Sequence, residues 1–584
     1  MDVSKLLQLR NLELNTDLHP WDLPSSSFDV GINFSIRDGK VIATGSHENI
    51  GVTTAPYVGF TKLSYLQKNS LHYYVASGSD RAYLYDGNVW SDISSADRAA
   101  AGDLSVDTWT DCKSGFNLVV NCPQHFLEYW TGDNGTLMQP LNFTPGKTWR
   151  QMNYKTNVIR SHKDFLFALG LMENGQEFPY AYRWSHPADT NGLPFSWDEA
   201  DLATIAGKES IGGDFGPIVD GLSMRDSFCI YTERSVHILD YTGDEFVFRR
   251  RLLSQSHGLL ATNCVVEAVG KHYFITENDI VVNDGNSLMS ILTTKLKALF
   301  ATVNPAAYKT SFACANPITT ELWFCMPELG YTYPSFAIVY NWVTGTFSIR
   351  DLVGKLGSAL VKGKLSSIVF GADMPDPLPW DEDTPAWDTV ANSWNEVSYS
   401  PFANAFYGIG PEFNYIQKLE GPRVVNELFN GTLYWSLFTS ASGATTEPAA
   451  PQHTITASQD VINEIEEAAA NTVTFNVTVP DTLYKVTTLL ERTNLALEGH
   501  RQVTTITRIY PHITSPGPVT FQFGSHDFNN SAIRWQPAII FNPATDRKID
   551  VRTTGELQAW RVSAEGYDFQ LSGFDIEYTL NGLR

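Results

Sequence analysis

The chain has 584 residues, 64 acidic against 41 basic side chains and a formal charge of −23. That length exceeds one ordinary domain but suits a large β architecture. The acidic balance excludes tight wrapping of nucleic acid, while leaving room for a conduit whose wall repels phosphate. Aromatic residues make up 12% of the chain, and its 42 Gly and 29 Pro suit many short strands joined by turns. No apolar run reaches the roughly 18 residues of a membrane span, and residues 1–15 lack a leader's apolar stretch, so no insertion into a membrane is expected. The six cysteines form no CxxC pair and are expected to be reduced core residues.

In chain order, residues 3–10 predict a short helix, followed by an arm (1–28 in all) that Pro20 and Pro24 hold extended and Trp21 and Leu23 dock. From Phe28 the pattern turns to hairpins, each with alternating apolar positions on both sides of a Gly-centred turn. They are 33–42 (turn Asp38-Gly39), 83–93 (Asp86-Gly87), 126–138 (Gly132 or Gly135), 181–197 (a longer turn through Asn191-Gly192), 231–250 (Thr242-Gly243), 279–291 (Asp284-Gly285) and 338–352 (Thr344-Gly345). Successive turns stand about 40 to 60 residues apart, the period of a four-stranded propeller blade. A large irregular β-sandwich is the competing architecture. The expected fold is mainly β: a β-propeller-like body over 29–410, a β-rich terminal platform domain over 411–584, and one or two short helices.

Two segments depart from the hairpin pattern. Trp380, Trp387 and Trp394 stand seven apart, in a stretch (365–417) with eight carboxylates and no Lys or Arg. Prolines 375, 377, 379 and 385 exclude a helix across its first half. This loop supplies the candidate docking or lumen-facing residues: Trp380, Asp381, Glu382, Asp383, Trp387, Asp388 and Trp394. Further on, 439–451 reads as a linker, and 459–471 (QDVINEIEEAAAN), capped by Ser458, as the clearest helix.

Motifs for catalysis are missing: the sequence holds no HExxH, GxSxG, Walker A or EF-hand pattern. No catalytic residue, metal ligand or cofactor site is assigned. Asp381, Glu382 and Asp383 could serve as acid and base of a glycosidase, although a solvated acidic loop explains them as well. His237 reads as a hydrogen-bonded structural residue. Arg249-Arg250-Arg251 is the one basic cluster, either a phosphate contact or a solvated strand end.

Several stretches together resemble the tail nozzle, or tail tubular, proteins of short-tailed bacteriophages. They are NTDLHPWDLPSSSFDVGINFSIRDGKV near the start, YRWSHPAD, PFSWDEAD and CIYTERSVHILDYTGDEFVFRR in the middle, the Trp loop, and LERTNL, RKIDVRTTGELQAWRVSA and GFDIEYTLNGLR toward the end. The resemblance spans most of the chain except 439–480. It implies a structural virion protein, assembled in the host cytoplasm, whose terminal segments together make a platform. Six copies would form a ring bounding the channel through which genomic double-stranded DNA leaves. Head-tail adaptor and tail fibre proteins would be its partners. The alternatives are a propeller glycosidase or tailspike-like depolymerase, and a glycan-binding module.

Overall fold

The computed structural model describes residues 5–583 apart from 46, 51–53, 70, 88, 97, 99–107, 244–246, 293–295, 357–358, 373–403, 421–429, 435–471, 477–482, 485, 499–501, 529–530 and 566–568. Most of the Gly-centred turns fold as expected. Asp86-Gly87 joins Ala82–Tyr85 to Trp90–Asp92, Asp284-Gly285 joins Ile280–Asn283 to Leu288–Ser290, and Thr344-Gly345 joins Phe336–Asn341 to Thr346–Asp351. Gly87, Gly285 and Gly345 have φ of 104°, 93° and 69°, a region that costs glycine nothing. Val236–Tyr241 pairs with Phe248–Ser254 in the same way.

Each of these hairpins is the outer half of a four-stranded antiparallel meander. The first six blades span 60–92, 110–140, 154–210, 218–254, 265–290 and 312–351. A seventh is assembled from Ser367–Gly371, Ala405–Ile409 and Ile416–Leu419, extended by His47–Ile50 from the start of the chain and by Leu483–Tyr484. The first strand of each blade lies against the first strand of the next, and Ser367–Gly371 lies against Phe60–Lys68. The ring therefore closes as a seven-bladed β-propeller. Because His47–Ile50 precedes blade 1 in sequence but completes blade 7, the closure is fastened by hydrogen bonds between the two ends of the ring, which leaves no open seam.

The platform consists of two further sheets that interleave the termini. Lys5–Arg10, Phe34–Arg37 and Lys40–Ala43 join Gln502–Thr514, Ile549–Gly555 and Gln570–Leu583; Val30–Ile32 joins Thr487–Leu495, Val519–His526 and Leu557–Glu565. Strict alternation of buried and exposed residues along Ile549–Gly555 shows why a one-faced sheet forms there. Apolar cores fill the spaces between blades, as where Leu66, Tyr73 and Leu84 of blade 1 meet Leu118, Val120 and Trp130 of blade 2. The largest core is continuous from blades 4 to 6 into both platform sheets, joining Tyr231, Phe274 and Phe324 to Phe34, Trp560 and Phe574.

Several expectations change. Residues 5–10 form a strand rather than a helix, because pairing with the 14-residue strand Gln570–Leu583 outweighs the helix propensity of KLLQLR. Residues 30–43 belong to the platform by sheet membership and 416–419 to the propeller, so the expected boundaries at 28 and 410 do not coincide with the sheets. The 181–197 hairpin is longer than expected: its first strand ends at Trp184, the returning strand is Gly207–Ser210, and Asn191-Gly192 lies in the connection between them. The helical segments among the described residues are 3-10 turns, such as Lys297–Thr302; the helix expected at 459–471 lies outside them.

Gly573 tests how far the platform depends on this interleaving. It has φ of 138°, and a Cβ there would stand 2.0 Å from the Leu9 carbonyl oxygen. Gly573→Ala should displace the N-terminal strand and lower stability by about 2–4 kcal/mol, read by denaturant unfolding.

Candidate functional site

The innermost strand of each blade faces the propeller bore, and polar side chains from successive blades meet there. Lys62 Nζ of blade 1 lies 2.9 Å from Asp111 Oδ1 of blade 2. Arg160 of blade 3 makes a forked pair with Asp220 of blade 4 (2.9 and 2.8 Å), and its Nη2 also donates to Asn263 Oδ1 at 2.8 Å. Asn263, at φ 65°, enters blade 5; its Nδ2 donates across the ring to the Trp109 carbonyl at 3.0 Å, and its own carbonyl accepts from Ala313 N of blade 6. The bore is therefore crossed by a clasp that touches six blades. Burial alone would raise the Asp111 carboxyl, but Lys62 and Arg160 more than offset it and hold it below the ordinary carboxylate range. These residues recur at roughly the blade period. Alignment of the blades' first strands was the sequence signal that could have found them.

A second polar cluster fastens platform to propeller. Arg350, buried in the outer strand of blade 6, donates to the Phe34 carbonyl, to Ser35 Oγ at 2.6 Å and to Glu420 Oε1 at 2.6 Å. Glu321, also buried, accepts from Ser35 Oγ and Arg37 Nη2, each at 2.9 Å. Asn33 adds main-chain pairing: its N–H donates to the Ile349 carbonyl and its Oδ1 accepts from Asp351 N. Burial opposes the Glu321 charge, yet Arg350 and Arg37 keep its carboxyl below the usual range.

The sequence-derived candidates do not enter either cluster. Trp380, Asp381, Glu382, Asp383, Trp387, Asp388 and Trp394 lie outside the described residues, in the connection between the first two strands of blade 7. His237 is buried and bonded to Ser235 Oγ at 2.9 Å, the structural role expected of it. Arg249, Arg250 and Arg251 lie on the outer strand of blade 4, with Arg251 engaged by Asp240 at 2.9 Å. All six cysteines are buried thiols. A cavity of about 190 Å³ between blades 4 and 5 is lined by Met224, Arg225, Cys229, Ile238, Arg251 and Gly285 among others. Both of its guanidinium groups already donate to carbonyls, Arg225 to Gly270 and Arg251 to Gly285. Among the described residues, no group of three or more His, Cys, Asp or Glu could hold a metal ion.

No family model matches the chain, and no curated protein matches it. Solved structures similar to it include virginiamycin B lyase from Staphylococcus aureus, at 8% identity over 63% of this chain and 97% of that one, with a TM-score of 0.35. The Cps50 (Swd1) β-propeller domain of Myceliophteria thermophila is 9% identical over 64% and 100%, at 0.37. The Pan2 WD40 domain of Neurospora crassa is 8% identical over 65% and 97%, at 0.34. Likeness at that level carries no argument, and the propeller here rests on the sheet order itself.

Two outcomes follow from these clusters. Glu321→Gln removes the charge that two buried or half-buried arginines share, and should cost about 3–5 kcal/mol by urea unfolding, with platform cleavage sites exposed in limited proteolysis. Burial also lowers His47, His162, His237 and His272 to about 4, with Arg350 adding to the effect at His47. In the unfolded chain these imidazoles take up protons near pH 6.5. Between pH 6.5 and 4 the unfolded state therefore binds more protons, so stability should fall as pH falls through that window. Calorimetric Tm should be flat above about pH 7 and decline below it.

Proposed function

We propose that the chain is a structural virion protein, the tail nozzle of a short-tailed phage, six copies of which form a ring that conducts and gates DNA during ejection. The observation that carries this reading is the platform: both ends of the chain interleave in two sheets that share one core with the propeller, the combination that the family resemblance implies. Load applied to either part passes through buried apolar contacts and the Arg350 cluster rather than through a flexible linker. Closure of the bore by Asn263 and Trp109 favours a DNA path along the lumen of the ring, outside the propellers. Six copies would carry six times a formal charge of −23, a net negative field that disfavours adhesion of a passing polyanion. Head-tail adaptor and tail fibre proteins are the partners this role requires.

The test is to stop translation of the chain with a nonsense codon in the phage that encodes it, and to image both the particles and the purified protein by electron microscopy. Six-fold rings, together with particles that lack the tail tip and fail to deliver DNA, are expected. Complete, infectious particles made without the chain would sink the proposal.

A further inference from the structure

The two faces of the propeller differ. Strands in a meander alternate in direction, so the first-to-second and third-to-fourth connections of the blades share one face, and neighbouring tips touch there: Lys68 of blade 1 pairs with Asp133 of blade 2 at 2.6 Å. Exposed large apolar residues concentrate at these tips, Phe116, Val269 and Val343 among them, whereas the opposite face carries Val58 and Leu329 among the described residues. The densest part is the blade 3 connection, 185–206, together with the adjoining blade 2 tip, to which Asn117 Nδ2 ties it through the Asn191 carbonyl at 2.6 Å. Phe116, Phe195, Leu202 and Ile205 are 62%, 56%, 101% and 41% exposed. The same connection carries Asp189, Asp198 and Asp201, with Glu199 already paired to Arg183, and no Lys or Arg of its own. It is an acidic lobe with an apolar tip.

The chain also carries its complement. Phe248–Ser254 is the outermost strand of blade 4, its outer edge unpaired among the described residues, and Arg249, Arg250, Arg251 and Leu252 are all exposed along it, Arg251 within its ion pair to Asp240. Charge on an edge strand deters unwanted strand pairing, which accounts for a charge there but not for an oppositely charged, apolar-tipped lobe on the same molecule. When such a contact between two different surfaces of identical chains is made once per pair it is heterologous, and it closes into a ring when the rotation between copies allows. Opposite charge favours that contact and disfavours lobe against lobe, where carboxylates would meet.

We infer that the 185–206 lobe of one copy docks on the Arg249–Leu252 edge of a second copy of this chain, and that this contact joins neighbours in the ring. The inference rests on the ring reading above and names the surfaces that build it. Two variants of the full chain test it, both at exposed positions: Phe195→Ser with Leu202→Ser, and Arg249→Glu with Leu252→Ser. Circular dichroism and Tm should match wild type. In mass photometry each variant should need at least about tenfold more protein to form rings, and raised salt should weaken the wild-type ring. Because each variant retains the surface the other lacks, an equimolar mixture should form dimers containing one of each and no rings. Rings from either variant at the wild-type concentration, or a mixture in which no such dimer forms, would overturn the contact while leaving the ring reading standing. A wild-type chain that stays monomeric overturns both.

Discussion

Arg350 joins three parts of the chain that sequence keeps far apart. Its guanidinium bonds to the Phe34 carbonyl and Ser35 of the platform hairpin and to Glu420 at the end of blade 7, from a position on the outer strand of blade 6. A buried guanidinium stripped of its partners is an unmet charge in low dielectric, which costs several kcal/mol. Its partners must therefore come together in one arrangement. The charge adds less to net stability than apolar packing would, but it fixes the register in which the platform meets the rim of the propeller.

That register governs the rest of the body. The strand leaving the platform hairpin runs directly into His47–Ile50, which completes blade 7. Docking of the platform and closure of the propeller are thus coupled through a few residues of chain. Around the bore, the Lys62, Asp111, Arg160, Asp220 and Asn263 clasp ties successive blades together through side-chain ion pairs and hydrogen bonds. The two polar clusters act at different radii: one holds the rim to the platform, the other holds the blades to the axis. The nozzle role proposed above calls for a body whose parts are coupled in this way.

Legibility in the sequence followed the range of the interaction. Turns such as Asp86-Gly87 and Thr344-Gly345 were readable because positive φ and alternating polarity are decided within about ten residues. The blade period was readable for the same reason. Misreadings arose where a distant partner outweighed local preference: KLLQLR has good helix formers, yet its alternate leucines pair with Gln570–Leu583. The Asp38-Gly39 hairpin was read correctly as a hairpin and assigned to the propeller, although its strands lie in the platform. Nothing within a hairpin encodes which sheet it joins.

The bore clasp shows the same limit. Lys62, Asp111, Arg160 and Asp220 are unremarkable one at a time, each a charged residue in a strand that looks half-buried. Only ring closure brings them to one level around an axis, and Asn263 spans that axis because its backbone turns through positive φ. Local chemistry by itself determined that the chain is a series of short antiparallel hairpins, acidic overall, with its cysteines in the core. Tertiary structure alone decided that seven sheets close a circle, which strands of the two termini pair in the platform, and that the bore is crossed. Those three outcomes depend on contacts between residues tens to hundreds of positions apart, whose loop-closure entropy is offset only when the whole circle forms.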